Sequence, residues 1–526
     1  MKKDNYNAIK RKFNYLLILA FLGFACSPQG QKAQEQNFEI VVKNGRVIDP
    51  ETQLDAVRNL GIEKGKIVLI TDSDISGQKT IDARGLVVAP GFIDLHAHGQ
   101  TLTADRMQAF DGVTTALELE SGILPIGPWY ESMESKGRIL NYGASAAWTF
   151  ARIETMEEIP MEPDLRWFQS AFSLSKWVND PADEKQIDNI LRLIEEKGIK
   201  QGSIGIGINA GYAPGGGFKE LMAVHALAAT YEVPTFTHIS GDFPSDPKSA
   251  AEYVGQIIAF SAATGSQDHI CHLNSSSLRD VSTTRGMIIQ AQKSGLPITT
   301  ESYTYGASST TIGAALFNKE GIERKNIKAE QIELNGKPLT EEEFQNIRKK
   351  NPGSVIVFRF LNMPQDESIL EESVLFPGGS IASDAMPWVD ITTDDLFDDN
   401  TWPLNENAFA HPRSAGTYSR LLSHYVRDRK ALSLSEALAK SSLYPARILE
   451  KSVDQMKYKG RIQEGMDADI IVFDPETIQD RATFTEPYLT AEGMKYVLVN
   501  GTPVIEDGEL VMEVRPGKAI RRDVEN

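Results

Sequence analysis

The sequence predicts an α/β fold: a (β/α)8 barrel with a small β-sandwich built from the N- and C-terminal segments. Three observations predict it. From residue 89 to residue 455, apolar strand-like runs alternate with helical stretches, the rhythm of parallel βα units. Short alternating segments punctuated by Asn-Gly and Lys-Gly pairs stand before that region and recur after it. The histidines and carboxylates that could do chemistry fall at the ends of the predicted strands, where barrel enzymes build their sites.

Composition sets the outer limits. The 526 residues, 41% hydrophobic and 24% charged, can bury a large core. A formal net charge of -18 excludes nucleic acid as a partner, since phosphate backbones need clustered Lys and Arg. Any anionic small-molecule substrate must therefore be held by a local cation.

The chain starts with Lys2, Lys3, Lys10, Arg11 and Lys12, then an apolar run over 13–25, then Cys26. A basic start and an apolar run too short to span a bilayer read as an export signal. The ending "LGFAC" resembles a lipobox and implies lipidation of Cys26, a signal peptide over 1–26 and a polar tether over 27–37. The expected location is outside the cytoplasm, as a bacterial lipoprotein on the periplasmic or outer-membrane face, with the membrane contacted only through the lipid anchor. Cys271 is the one other cysteine, so an acylated Cys26 leaves no internal disulfide.

Along the mature chain, "FEIVVKNGRVID", "LGIEKGKIVLIT" and "KTIDARGLVVAP" make the first β unit, 38–88. "DADIIVFDP" and "KYVLVNGTPVIEDGELV" make the second, within 456–526. Between them lies the barrel, 89–455, whose rhythm is broken by a charged insertion at 318–350 on the loop face.

"GFIDLHAHG" places His96 and His98 two apart at a strand end, so both imidazoles share a face and can meet one metal. His238 ends "VPTFTHIS" and His272 ends "DHICHLNS". Four of the chain's eight histidines thus sit at strand ends, which points to a metal centre. His269 and His225 read as structural, and His424 as a helix-surface residue. Asp384, ending the last barrel strand in "GGSIASDA", can take a proton from a metal-activated water and pass it to a leaving amine. "GVTTALELES" carries Glu118 and Glu120 on one face; Glu120 is the candidate ligand, and Glu118 supports a ligand or pairs with a cation.

These motifs, with "YTYGASST", "HPRSAGTYSRLLSHYVRD" and "KGRIQEGMDADIIVFDPETIQDRATFTEP", resemble the amidohydrolase superfamily, and within it the N-acyl-D-amino-acid deacylases, over nearly the whole mature chain. The resemblance implies one or two zinc ions on His96, His98, His238 and His272, with Asp384 as general acid/base and further metal ligand. It implies that Tyr305, Ser309 and Arg413 hold the substrate carboxylate. The implied reaction is hydrolysis of an N-acyl-D-amino acid, the N-acyl-D-glutamate type included. Two departures stand out. Ser121 occupies the register of the family's metal-bridging Cys, so bridging passes to Glu120 or the site holds a single metal. Asn274 occupies the place of a common substrate-binding Lys. A cyclic-amide hydrolase of dihydroorotase or hydantoinase type is an alternative on the same barrel, although "GSIGIGINAG" lacks the bridging Lys of those relatives. A catalytically dead barrel acting as a binding lipoprotein is the other.

Overall fold

The computed structural model describes residues 37–241, 245–393, 395–397 and 399–524, so Cys26 and the signal and tether expected before residue 37 lie outside the described residues. The chain enters through five strands, β1 (Asn37–Asp49), β2 (Leu54–Glu63), β3 (Lys66–Thr71), β4 (Ser76–Asp82) and β5 (Val87–Pro90). Lys64 and Gly65, both at positive φ, join β2 to β3 in the two-residue turn that suits the right-handed twist of a hairpin. Asn44-Gly45, which reads as a similar turn in the sequence, lies inside β1 instead. There the register against β2 shifts between Val42 and Gly45, a bulge. A Cβ on Gly45 would stand 2.4 Å from a methyl of Val88, so only glycine fits. Across this bulge the other edge of β1 changes partner, from β4 along Asn37 to Lys43 to β5 at Arg46 and Val47.

The barrel follows. β6 (Phe92–Asp94), β7 (Val113–Glu118) and β8 (Asn141–Ala144) lie parallel and adjacent. β9 (Ala146–Ala147) continues β8 past Ser145 and leads the parallel series β10 (Ile206–Asn209), β11 (Thr235–His238), β12 (Asp268–Ile270) and β13 (Ile298–Ser302). Helices return the chain between strands, with ends set by capping side chains. Asp183 and Gln186 form a capping box on Glu184–Lys197, and Ser249 caps Ala250–Thr264, which stops at left-handed Gly265.

After β13 the chain leaves the barrel for an antiparallel sheet of β14 (Ala307–Thr311), β15 (Ile332–Leu334), β16 (Lys337–Pro338) and β17 (Val355–Arg359). The insertion expected at 318–350 is the middle of this excursion. It departs from the strand ends, so it stands over the face that carries the site. β18 (Ser380–Ile381) then pairs with β13 and closes the ring, because Ala97 bridges Ala385 in parallel. His98 N donates to Ala385 O at 2.8 Å, and Ala385 N to His96 O at 3.2 Å. The first and last strands therefore meet at the residues that bear His96, His98 and Asp384.

A small sheet of β19 (Val389–Asp390), β20 (Asp395–Leu396) and β21 (Ala408–Phe409) follows, and the chain ends in β22 (Ile470–Phe473), β23 (Met494–Val499), β24 (Thr502–Glu506) and β25 (Glu509–Leu510). β22 pairs with β5, which joins the strands of both chain ends into one nine-stranded sheet. Alternation decides its two faces. Ile470 and Val472 pack with Leu60, Ile62 and Val88 into the sheet's own core, while Ile471, Phe473, Val87 and Ala89 face a core shared with Phe92, Val113 and Ile381 of the barrel. No helix among the described residues is long and apolar enough to cross a membrane.

Candidate active site and metal centre

The extended chain beyond β6 carries His96 and His98 on one side, buried, with their Nε2 atoms 3.1 Å apart. What stands behind each ring determines which nitrogen faces inward. His96 Nδ1 lies 2.6 Å from Glu301 Oε1, and His98 Nδ1 lies 2.9 Å from Glu118 Oε2. A carboxylate on Nδ1 fixes the tautomer and leaves Nε2 free to ligate. Glu301 extends the chain of contacts, since its Oε2 is 3.1 Å from His269 Nε2, whose Nδ1 meets Thr299 Oγ1 at 2.8 Å.

Glu120 lies between two pairs of imidazoles. Its Oε2 is 3.3 Å from His96 Nε2 and 3.6 Å from His98 Nε2. Its Oε1 is 2.9 Å from His238 Nδ1 and 2.8 Å from His272 Nε2. Asn209, at the end of β10, donates to Oε2 at 2.9 Å, and Ser276 Oγ meets His272 Nδ1 at 2.9 Å. Asp384 Oδ1 completes the floor, 3.5 Å from Nε2 of both His96 and His98.

Two backbone positions here are strained. His272 has φ +30° and Asp384 φ +52°, left-handed values that cost a non-glycine residue about 1–3 kcal/mol. Strand parity explains the first. His269 and Cys271 already take the inward face of β12 and its continuation, so His272 reaches the centre only if the chain twists. The same parity brings Cys271 in: its sulfur, a nitrogen of His96 and a carboxylate oxygen of Glu120 lie within 4.8 Å of one another.

Electrostatics favours a cation. Burial alone would discharge these groups, but the crowd of opposite charges outweighs it. Asp384, Glu120 and Glu301 hold His96 well above the ordinary imidazole range. Glu118 and Asp384 push His98 up to about 10. The imidazoles in turn hold Glu120 well below the usual carboxylate range, while Arg413 and His96 lower Asp384 against the effect of burial. A field that stabilises imidazolium here also stabilises a divalent ion. Two donor groups, His96-His98-Asp384 and Glu120-His238-His272, each bring their ligand atoms within 4.8 Å of one another. Imidazoles with carboxylates suit zinc, and the two groups with Glu120 between them fit one or two ions.

Above the floor opens a cavity of about 110 Å³, room for several waters or the reacting end of a small molecule. Of the residues expected to hold the substrate carboxylate, Ser309 lines it. Tyr305 does not. β13 ends at Ser302, and by Tyr305 the chain has left the barrel wall; its ring faces His411, with the Arg420 guanidinium 5.2 Å from its centroid. Tyr303, next inward after Glu301, takes the place closer to the centre, with the Arg413 guanidinium 4.6 Å from its ring. Arg413 is fully buried behind the floor rather than on the cavity wall. Its Nη2 pairs with Asp384 Oδ1 at 2.7 Å, and its Nε donates to the Asp384 carbonyl at 2.6 Å. The fork expected to grip substrate thus grips the candidate base.

Asn274 is also turned away: its amide is spent on the carbonyls of Tyr303 and Tyr305. Ser121 lines the cavity, and its backbone N–H donates to Glu118. His225 is structural, buried on Asp268, and His424 pairs with Glu367 at the surface. His269 belongs to the support of His96, a correction to its reading as purely structural. Sequence reasoning missed Asn209, Glu301, Cys271 and Ser276. Asn209 and Glu301 carried one signal, a polar residue within an otherwise apolar barrel strand.

The closed barrel, with imidazoles and carboxylates converging at the strand ends, defines a metal-dependent hydrolase. The profile of the Amidohydrolase family matches residues 79–159 and 377–505, which include His96, His98, Glu120, Asp384 and Arg413. The chain is 24% identical to an N-acyl-D-glutamate deacylase of Alcaligenes xylosoxydans xylosoxydans over 93% of its own length and 98% of that protein. It is 25% identical to a D-aminoacylase of the same organism, over 90% and 96%. Among solved structures, the N-acyl-D-glutamate deacylase of Bordetella bronchiseptica, complexed with zinc and a phosphonate inhibitor, superposes with a TM-score of 0.73 at 19% identity, covering 92% of this chain and all of that one. The chain is thus similar to the Amidohydrolase family over those two stretches, and to deacylases of N-acyl-D-amino acids over nearly its whole described length.

Proposed function

We propose that the protein hydrolyses the amide bond of N-acyl-D-amino acids, releasing a carboxylic acid and a D-amino acid. The observation that carries this reading is Asp384 on the cavity floor, held ionised by Arg413 at 2.7 Å and 3.5 Å from both histidines of the first strand. His96, His98, Glu120, His238 and His272 would hold a zinc ion, which when bound would supply Lewis acidity toward the scissile carbonyl and the attacking water. Asp384 accepts the proton of the water that adds to the carbonyl carbon. As the C–N bond breaks, it returns that proton to the departing nitrogen, so the amine leaves neutral. Arg413 keeps Asp384 charged in a buried setting and fixes its orientation through two contacts. Glu301 and Glu118 hold the imidazoles in the ligating tautomer. Ser309 lines the cavity wall, with its hydroxyl donating to the Ile356 carbonyl at 2.9 Å.

The relatives named above, over nearly their full lengths, support the D-amino-acid assignment. The signal-like segment supports export and lipidation at Cys26, which would present the enzyme to substrates outside the cytoplasm. The test is amine release from paired N-acetyl-D- and N-acetyl-L-amino acids by the purified full chain, with zinc content measured on the same sample. Release from D substrates only, lost in Asp384→Asn with zinc retained, is the expected result. Zinc without turnover on any linear substrate, but with turnover of a cyclic amide, would replace this reading.

A further inference from the structure

We infer that the substrate group packed beside the scissile amide is apolar: a hydrophobic D-amino-acid side chain or an extended hydrophobic acyl chain, and not an acidic side chain. The inference rests on the deacylase reading above and narrows it. Four separate parts of the chain bring apolar groups to the cavity: Phe168 and Phe172 from the segment after β9, Leu278 from beyond β12, Leu316 and Phe358 from the excursion, and Met386 from beyond β18. The charged side chains at the cavity are His98, Glu120, His238, His272 and Asp384, all of them in the metal centre. Among the described residues, no Lys or Arg lines it.

The cations nearby pair with carboxylates, although Nη1 of the fully buried Arg413 has no hydrogen-bond partner among the described residues. Arg413 is buried on Asp384, Arg279 pairs with Asp366, and Arg359 pairs with Glu333. One substrate carboxylate, the α-carboxylate common to every N-acyl amino acid, can take a hydrogen bond from a lining hydroxyl such as that of Ser308. A second carboxylate would be stripped of water against phenyl and alkyl groups with no counter-charge, whereas an apolar group in the same place is stabilised by leaving water. Asn274, nearby and neutral, spends its amide N–H groups on the carbonyls of Tyr303 and Tyr305.

The test is kcat/KM of the zinc-loaded full chain on N-acetyl-D-Phe, -D-Leu and -D-Met against N-acetyl-D-Glu and -D-Asp, with N-octanoyl-D-Ala against N-acetyl-D-Ala to separate side chain from acyl chain. A preference of at least about 100-fold for one apolar arm over the acidic arm is expected. Gln169→Arg places a cation at the half-buried edge of the same cavity and is expected to raise the acidic-to-apolar ratio about tenfold. Turnover of N-acetyl-D-Glu or -D-Asp at rates matching the apolar substrates would overturn the inference and leave the deacylase reading standing. An unmoved ratio in folded, zinc-bound Gln169→Arg would also overturn it. Absence of turnover on every D substrate with zinc bound would remove the deacylase reading and the inference together.

Discussion

Glu301→Gln tests whether the support behind the first-strand histidine controls the metal centre. The carboxylate accepts from two imidazoles at once, from His96 at 2.6 Å and His269 at 3.1 Å, and is held strongly ionised by them despite full burial. An amide of the same shape has one accepting oxygen and one donating nitrogen, so it satisfies only one of the two. Either His96 loses the partner that fixes its tautomer or His269 does. Losing the partner behind a ligating imidazole costs about 10–100-fold in metal affinity, or about 1.4–2.8 kcal/mol. Breaking the charge-assisted bonds destabilises the metal-free fold by a further ~1.5–3 kcal/mol. The assay is zinc affinity by chelator competition, with thermal unfolding of the metal-free variant measured in parallel. His269→Gln, which touches the relay and not the ligand, is expected to cost stability with a smaller loss of affinity. Zinc affinity equal to the parent in folded Glu301→Gln would refute the reasoning, because the carboxylate would then support packing alone.

Further outcomes follow from other contacts. Asp384→Asn should lower kcat by about 10²–10⁴ with zinc retained, measured by turnover and metal analysis. Arg413→Lys keeps the charge but loses the fork that meets both the Asp384 carboxylate and its carbonyl, and should lower kcat with little change in zinc content. Lys440 is buried on the carbonyls of Phe376 and Gly379, and burial lowers its pKa to about 8. Between pH 8 and about 10.5 the unfolded chain therefore binds a proton that the folded chain does not, so stability rises with pH, at most about 1.4 kcal/mol per unit. Denaturant unfolding of Lys440→Met across that window should show the slope removed; a slope unchanged from the parent would contradict the assignment. Cys26→Ala should abolish incorporation of labelled fatty acid and release the protein from the membrane fraction.

Period-two and period-3.6 patterning made the barrel and the terminal strands readable, because those periods follow from which side chains face a core. The i, i+2 spacing of His96 and His98 is likewise a local fact, and it survives into the structure as two rings 3.1 Å apart at Nε2. Local rules also misled. Asn44-Gly45 has turn chemistry, but the chain keeps pairing through it, since β1 has partners on both edges and a bulge costs less than ending the strand. The resemblance implies Tyr305 and Arg413 at the substrate, and only the path of the chain after β13 and the burial of the guanidinium beside Asp384 place Tyr305 against His411 and Arg413 on the candidate base.

What the sequence determined by itself was the kind of fold and the residues with zinc-binding chemistry, since both depend on composition and spacing within a single strand. What tertiary structure alone decided was their partnership. Glu301 behind His96, Asn209 on Glu120, Arg413 on Asp384 and the apolar groups brought to the cavity from four separated segments all join residues tens to hundreds of positions apart. Such contacts form because barrel closure brings the strand ends to one face, and closure belongs to all eight strands together rather than to any stretch of sequence.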